Sequence, residues 1–237
     1  MDAIDTVVAD RAVADRAVAD TVVADRAVAD TRGGIAVLDY GIGNLASAQK
    51  ALVHLGADAR LVTTPDEARD AAGVVLPGVG AFGRCAEALR ASGLVAVVHD
   101  ALARALPFLG ICIGFQLLYE GSEEAPETPG LGVLAGRVRA LPAGVKHPQM
   151  QWNQLLARPG GSAGLLAGLP EKPWVYFVHS FAPEPSDDVV ATCDYGGDVV
   201  AAAERGPVWG TQFHPEKSGA AGLAILANFV ARCAAVA

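Results

Sequence analysis

The chain predicts an α/β fold with a largely parallel central sheet and an antiparallel extension. Three observations predict it. From Gly34 onward, short apolar runs alternate with helical patterns, as in a sheet built from strand-helix-strand units. One apolar run passes through a glycine-flanked turn into a helix at Gly110–Gly114. The last apolar runs are separated only by short turns, as antiparallel neighbours are.

In order along the chain, residues 6–30 are five near-identical pentads, TVVAD, RAVAD, RAVAD, TVVAD and RAVAD. A five-residue period advances about 140° per repeat on a helix and swaps faces on a strand, so neither builds an apolar face. Residues 1–33 are therefore expected to be a poorly ordered, dispensable arm, and 34–237 a single domain. Within it Ile35–Asp39 predicts a strand, Asn44–Leu55 a helix, Ala59–Val62 a strand, Asp66–Ala71 a helical turn and Gly73–Leu76 a buried strand. Pro77–Gly80 follows that strand as a loop. The run Leu106–Cys112 is too short for a helix and predicts another buried strand, with Phe115–Tyr119 opening a helical pattern. Val175–Val178, Val189–Thr192, Val199–Ala203 and Val208–Phe213 predict further strands, and Ala220–Cys233 a closing helix.

Composition narrows the function classes. With 237 residues, 52% of them apolar, the chain can bury a substantial core. Its net charge of −8 and the lack of any Lys/Arg cluster argue against nucleic acid as a partner. No apolar run reaches the roughly 18 residues that span a membrane, and the acidic, repetitive start does not look like a signal peptide. A cytoplasmic location is the expectation. Cys85, Cys112, Cys193 and Cys233 are scattered and match no metal-ligand spacing, so they are expected to be reduced thiols with no metal.

One thiol stands apart. Cys112 has glycines two residues before and two after it, at the predicted strand-to-helix turn, the pattern of a nucleophile elbow. Without Cβ atoms, Gly110 and Gly114 let strand and helix approach while the turn residue takes a strained, left-handed conformation. The unpaired N–H groups of the helix's first turn favour a thiolate there. Far downstream, a strand-like run ends at His214, and Pro215 stops the ladder. Glu216, two residues on, would point the same way and orient the imidazole while His214 takes the thiol proton. The Pro77–Gly80 loop could expose N–H groups to an oxyanion or be a plain turn.

Together these residues resemble the class I glutamine amidotransferases. The Gly-x-Cys-x-Gly elbow, Gln116 and the His-Pro-Glu run match in order and spacing. Further motifs, Asp39–Asn44, Pro77–Phe82, Trp152–Asn153, Tyr176–Ser180 and Gln212–Ser218, are similar to the glutaminase subunits of imidazole glycerol phosphate synthase. The resemblance runs from about Ile35 to Phe229 and implies a flavodoxin-like three-layer sandwich. There are departures: Ile113 stands where Leu is common, Phe115 where Met is, Phe181 where Tyr is frequent, and Pro148-Gln149-Met150-Gln151-Trp152-Asn153 where Pro-His-Met-Gly-Trp-Asn is usual.

The resemblance implies that glutamine is hydrolysed through a thioester on Cys112, with His214 and Glu216 completing the triad. It places Val79, Gly80 and Ile113 at the oxyanion, and Gly80, Gln116, Glu124, Ser180 and Phe181 at the substrate. Read alone, Gln116 could be a surface residue of the elbow helix and Glu124 part of a solvated turn. The implied partner is a (β/α)8-barrel cyclase in a heterodimer that receives ammonia, with Asn44, Trp152 and Lys217 at the interface. By composition alone Trp152 would be core and Lys217 an exposed charge. No cofactor is implied. The alternatives are a glutaminase serving another biosynthetic acceptor, against which the Asp39–Asn44 motif and the Trp152–Asn153 pair weigh, and a catalytically silent regulatory subunit, against which the complete triad weighs.

Overall fold

In the computed structural model, which describes residues 33–158 and 163–236, the central apolar runs become strands with every residue buried. The chain runs β1 (Ile35–Leu38), α1 (Leu45–His54), β2 (Ala59–Val62), a 3-10 turn at Pro65–Ala68, β3 (Gly73–Gly78), α2 (Phe82–Ala91), α3 (Val95–Ala103), β4 (Phe108–Cys112) and the one-turn helix α4 (Ile113–Gln116). Next come β5 (Gly121–Ser122), β6 (Ala125–Pro129), β7 (Arg137–Ala140), β8 (Gln149–Gln154), β9 (Leu156–Ala157) and the short helix α5 (Ala163–Leu166). The last third holds β10 (Trp174–His179), β11 (Phe181–Pro183), β12 (Val189–Asp194), β13 (Asp198–Arg205), β14 (Val208–Thr211), a 3-10 turn at Pro215–Lys217 and α6 (Gly219–Ala234).

The main sheet has eight strands in the order β2-β1-β3-β4-β14-β13-β12-β9. Its first five are parallel and its last three are antiparallel additions. This is the predicted parallel core with its extension. β1, β3, β4 and β14 can be wholly apolar because both faces of a parallel sheet are covered. β2, at the edge, keeps Ala59 and Val62 buried and leaves Arg60 and Leu61 exposed. Helix α1 packs beside α6 and α2 beside α4, and one continuous core runs from Ile35 to Cys233.

The strands differ from expectation in three ways, and helices α2 and α3 are additions to it. β10, expected in the extension, instead forms a separate antiparallel ribbon with β8. A four-stranded sheet, β11-β7-β5-β6, was not foreseen. β3 runs on through Pro77 and Gly78, because Gly78 pairs with Cys112 in the neighbouring strand. The expected arm at residues 1–33 lies, but for Gly33, outside the described residues. Among the described residues no helix is long and apolar enough to cross a membrane.

The tightest packing surrounds the turn out of β4. A Cβ at Gly114 would sit 1.8 Å from the Leu76 carbonyl oxygen, and one at Gly110 would sit 2.8 Å from the Gly114 carbonyl oxygen. No side chain fits between β3, β4 and α4. Gly114→Ala is expected to cost ~3 kcal/mol in overpacking and backbone displacement, measured as the shift in urea midpoint; a loss under ~1 kcal/mol would show that α4 can move away from the sheet.

Candidate active site

Cys112 ends β4 and precedes α4, with φ 55° and ψ −110°. Positive φ in a non-glycine residue costs on the order of 1–3 kcal/mol and persists only where surrounding structure enforces it. Here the enforcement comes from pairing with Gly78 on one side and the buried turn of α4 on the other. The thiol therefore emerges at the carboxyl end of the parallel strands, where ligands enter such sheets. It opens into a cleft of about 270 Å³ whose walls include Val79, Gly80, Ile113, Gln116, Glu124, Ser180, Phe181 and His214. Every residue expected at the oxyanion or the substrate reaches this cleft. A larger groove of about 420 Å³, lined by Leu155, Leu166 and Lys172 among others, contains neither a thiol nor a histidine.

His214 is fixed from both sides of its backbone. Its N–H donates to the Tyr176 carbonyl (3.0 Å), and its carbonyl accepts from the Ser218 hydroxyl (2.6 Å). The Ser218 oxygen in turn accepts the Tyr176 N–H at 3.0 Å. His214 Nδ1 donates to Glu216 Oε1 at 2.8 Å, with both side chains only 2% exposed. The partners are as expected, but the route differs. β14 ends at Thr211, and Glu216 reaches the ring through the 3-10 turn Pro215–Lys217, not by alternation along a strand.

With Nδ1 committed to Glu216, Nε2 is the free ring nitrogen; it is buried and makes no hydrogen bond. Burial opposes charge on the ring, but the pull of the Cys112 sulfur and the Glu216 carboxylate outweighs it and raises His214 to about 9. Of the two raising contacts, that with the Cys112 sulfur is the larger. His179 goes the opposite way. Burial pushes it down to about 4, against the raising effect of the Phe181 carbonyl bonded to Nδ1 at 2.9 Å, while His214 lowers it further.

Gln116 is no surface residue: it is 1% exposed and donates from Nε2 to the Phe181 carbonyl (2.9 Å) and to Gln212 Oε1 (3.0 Å). Its own Oε1 is buried without a partner, leaving an acceptor available in the cleft wall. Glu124 accepts the Phe82 N–H at 2.7 Å, so one carboxylate oxygen is anchored at the start of α2. Sequence reasoning assigned no role to Gln212, His179 or Gln149. Each is a polar residue within an apolar strand run or beside a proline, and that is the signal that could have found them.

Asn44 and Lys217 lie behind the triad. Asn44 lines a crevice with Pro77, Val79, Ile111, His214 and Glu216 that leaves no room for water. Lys217 follows Glu216 and is exposed. Trp152 is not core: it is 48% exposed on β8, edge-on to Tyr176 at 6.0 Å, with Met150 62% exposed on the same face.

His179 predicts an acid loss of stability. Between about 4 and 6.5 the unfolded chain takes a proton that His179 refuses, so stability rises with pH across that range. Urea melts from about pH 4 to 6.5 should show this rise, flattened in His179→Gln. A rise unchanged by that substitution would contradict the assignment.

Comparison with known proteins gives the family. Residues 36–233 match the family described as glutamine amidotransferase class-I. The imidazole glycerol phosphate synthase subunit HisH of Synechococcus sp. (strain JA-3-3Ab) is 50% identical over 202 residues, covering 83% of this chain and 92% of that protein. HisH of Moorella thermoacetica is 46% identical over 198 residues, covering 82% and 93%. Among solved structures, a crystal structure of a glutamine amidotransferase superposes with a TM-score of 0.67 at 22% identity, covering 85% of this chain and 99% of that one. The structure of PurLQS from Thermotoga maritima gives a TM-score of 0.66 at 23% identity, covering 83% and 97%. At such identities these two structures speak to the fold alone. The chain belongs to the class-I glutamine amidotransferases and, among them, to the HisH subunits of imidazole glycerol phosphate synthase.

Proposed function

We propose that Cys112, His214 and Glu216 form the triad by which this glutaminase subunit releases ammonia from L-glutamine for histidine biosynthesis. The observation that carries the reading is the buried Glu216–His214 pair beside a thiol held at positive φ, all opening on one cleft. His214 carries the proton at neutral pH, with Nδ1–H on Glu216 and the Nε2 proton facing the cleft. The Cys112 thiolate attacks the side-chain amide carbon, and His214 passes its proton to the departing nitrogen. Ammonia leaves and a γ-glutamyl thioester remains. Neutral His214 then removes a proton from water, which attacks the thioester and frees glutamate.

Charge on the tetrahedral oxygen is met by backbone N–H groups of Ile113 and of the Val79–Gly80 loop, each such donor being worth ~3 kcal/mol. The free Oε1 of Gln116 accepts from the substrate ammonium, and Glu124 offers its remaining oxygen to the same group. Gly80, Ser180 and Phe181 complete the wall around the amino-acid end. The crevice that joins His214 and Glu216 to Asn44 shares Val79 and His214 with the cleft. Asn44, Lys217 and the apolar Met150 and Trp152 are the residues assigned to the interface with a cyclase subunit of (β/α)8-barrel form. Exposed aromatic and methionine side chains of this kind are what protein interfaces bury. Ammonia crossing there escapes protonation by bulk water, and the cyclase uses it to make imidazole glycerol phosphate and the aminoimidazole-carboxamide ribonucleotide.

Cys112→Ala is expected to abolish glutamine-dependent synthesis by the reconstituted pair while leaving synthesis from added ammonia at its normal rate. Steady-state assays with each nitrogen source measure this. Equal loss of both activities would sink the division of labour between the subunits.

A further inference from the structure

The amide of Gln212 has only one consistent orientation, and a backbone carbonyl dictates it. A carbonyl oxygen can only accept, so Gln116 must turn its nitrogen toward Phe181, at 2.9 Å. That nitrogen carries a second hydrogen, which points at Gln212 3.0 Å away; Gln212 must therefore present its oxygen to Gln116. Its own nitrogen is left facing Cys112 Sγ, at 3.7 Å. An amide that could flip freely would offer the sulfur either polarity; this one offers only N–H. Both glutamines are within 1% of full burial, so no water competes for these bonds.

We propose that Gln212 is a further residue touching the reacting sulfur, whose side-chain N–H stabilises the Cys112 thiolate. The inference rests on Cys112 being the nucleophile. Beside the His214 ring, the sulfur has the Val178 carbonyl oxygen at 3.9 Å, which can accept from a neutral S–H but repels a thiolate. The Gln212 N–H shifts that balance toward the anion without carrying a charge of its own. The arrangement also ties the nucleophile to substrate binding. Phe181 and Gln116 form part of the cleft wall, so a substrate that seats against them tightens the same chain of bonds that aims Gln212 at the sulfur.

The test is brief alkylation of the full chain with iodoacetamide, followed by peptide mapping to score Cys112 separately from Cys85, Cys193 and Cys233. Thiolate sulfur displaces iodide, so the rate reads the fraction of anion. Gln212→Met keeps close to the length of the side chain and Gln212→Leu most of its bulk, and neither has an N–H for the sulfur. Each is expected to slow Cys112 alkylation about tenfold at pH 7, as loss of one hydrogen bond to a charged group does, and to approach the unsubstituted rate at pH 9.5. Unchanged rates at pH 7, or a deficit as large at pH 9.5, would overturn the role of Gln212 while leaving Cys112 as nucleophile. A Cys112 that reacts no faster than Cys85 in the unsubstituted chain would overturn both.

Discussion

The structure depends on one backbone constraint: a cysteine held at positive φ between a buried strand and a one-turn helix. Strain of this kind survives only if its neighbours cannot relax, and here they cannot. Gly78 pairs directly with Cys112, and α4 lies so close to β3 that a methyl group on Gly114 would overlap the Leu76 carbonyl. The same closeness brings the end of β3, with Val79 and Gly80, alongside the thiol. Packing of three backbones, with almost no side chain between them, thus builds the nucleophile and the facing loop in one step.

Electrostatics then divides the labour between two buried histidines. Both lose solvation, yet only His214 gains the raising contacts of the Cys112 sulfur and of Glu216, and so holds a proton through neutral pH. His179, bonded to a backbone carbonyl and near His214, stays neutral. Its place is structural: it braces the Phe181 carbonyl, which also receives Gln116. A chain of neutral hydrogen bonds therefore runs beside the charged pair, setting positions without adding charge that would compete for the proton.

Much of this was legible in the sequence because the signals were local. Glycines at 110 and 114 announced the elbow, and uniformly apolar runs announced strands buried on both faces. Histidine and glutamate two apart were found by spacing, although a turn and not a strand brings them together. What was not legible depended on long-range pairing. β10 reads as one more apolar strand, and nothing local says that it joins β8 instead of the main sheet. The helices α2 and α3 did carry a signal, since Phe82, Cys85, Ala86 and Leu89 fall at helical spacing and are buried, but it lay between motifs that drew more notice. Gln212 was hidden for another reason: its role depends on which way an amide faces, and only its contacts with Gln116 and Cys112 decide that.

The account stands on Cys112 being the atom that bonds to substrate. The most direct measurement is acid quench of the chain, paired with its cyclase, during glutamine turnover, followed by mass spectrometry of the cysteine-containing peptides. The account predicts a γ-glutamyl adduct on the peptide holding Cys112 and on no other. A chain that turns over glutamine while Cys112 stays unmodified, or that carries the adduct on Cys85, Cys193 or Cys233, would contradict it.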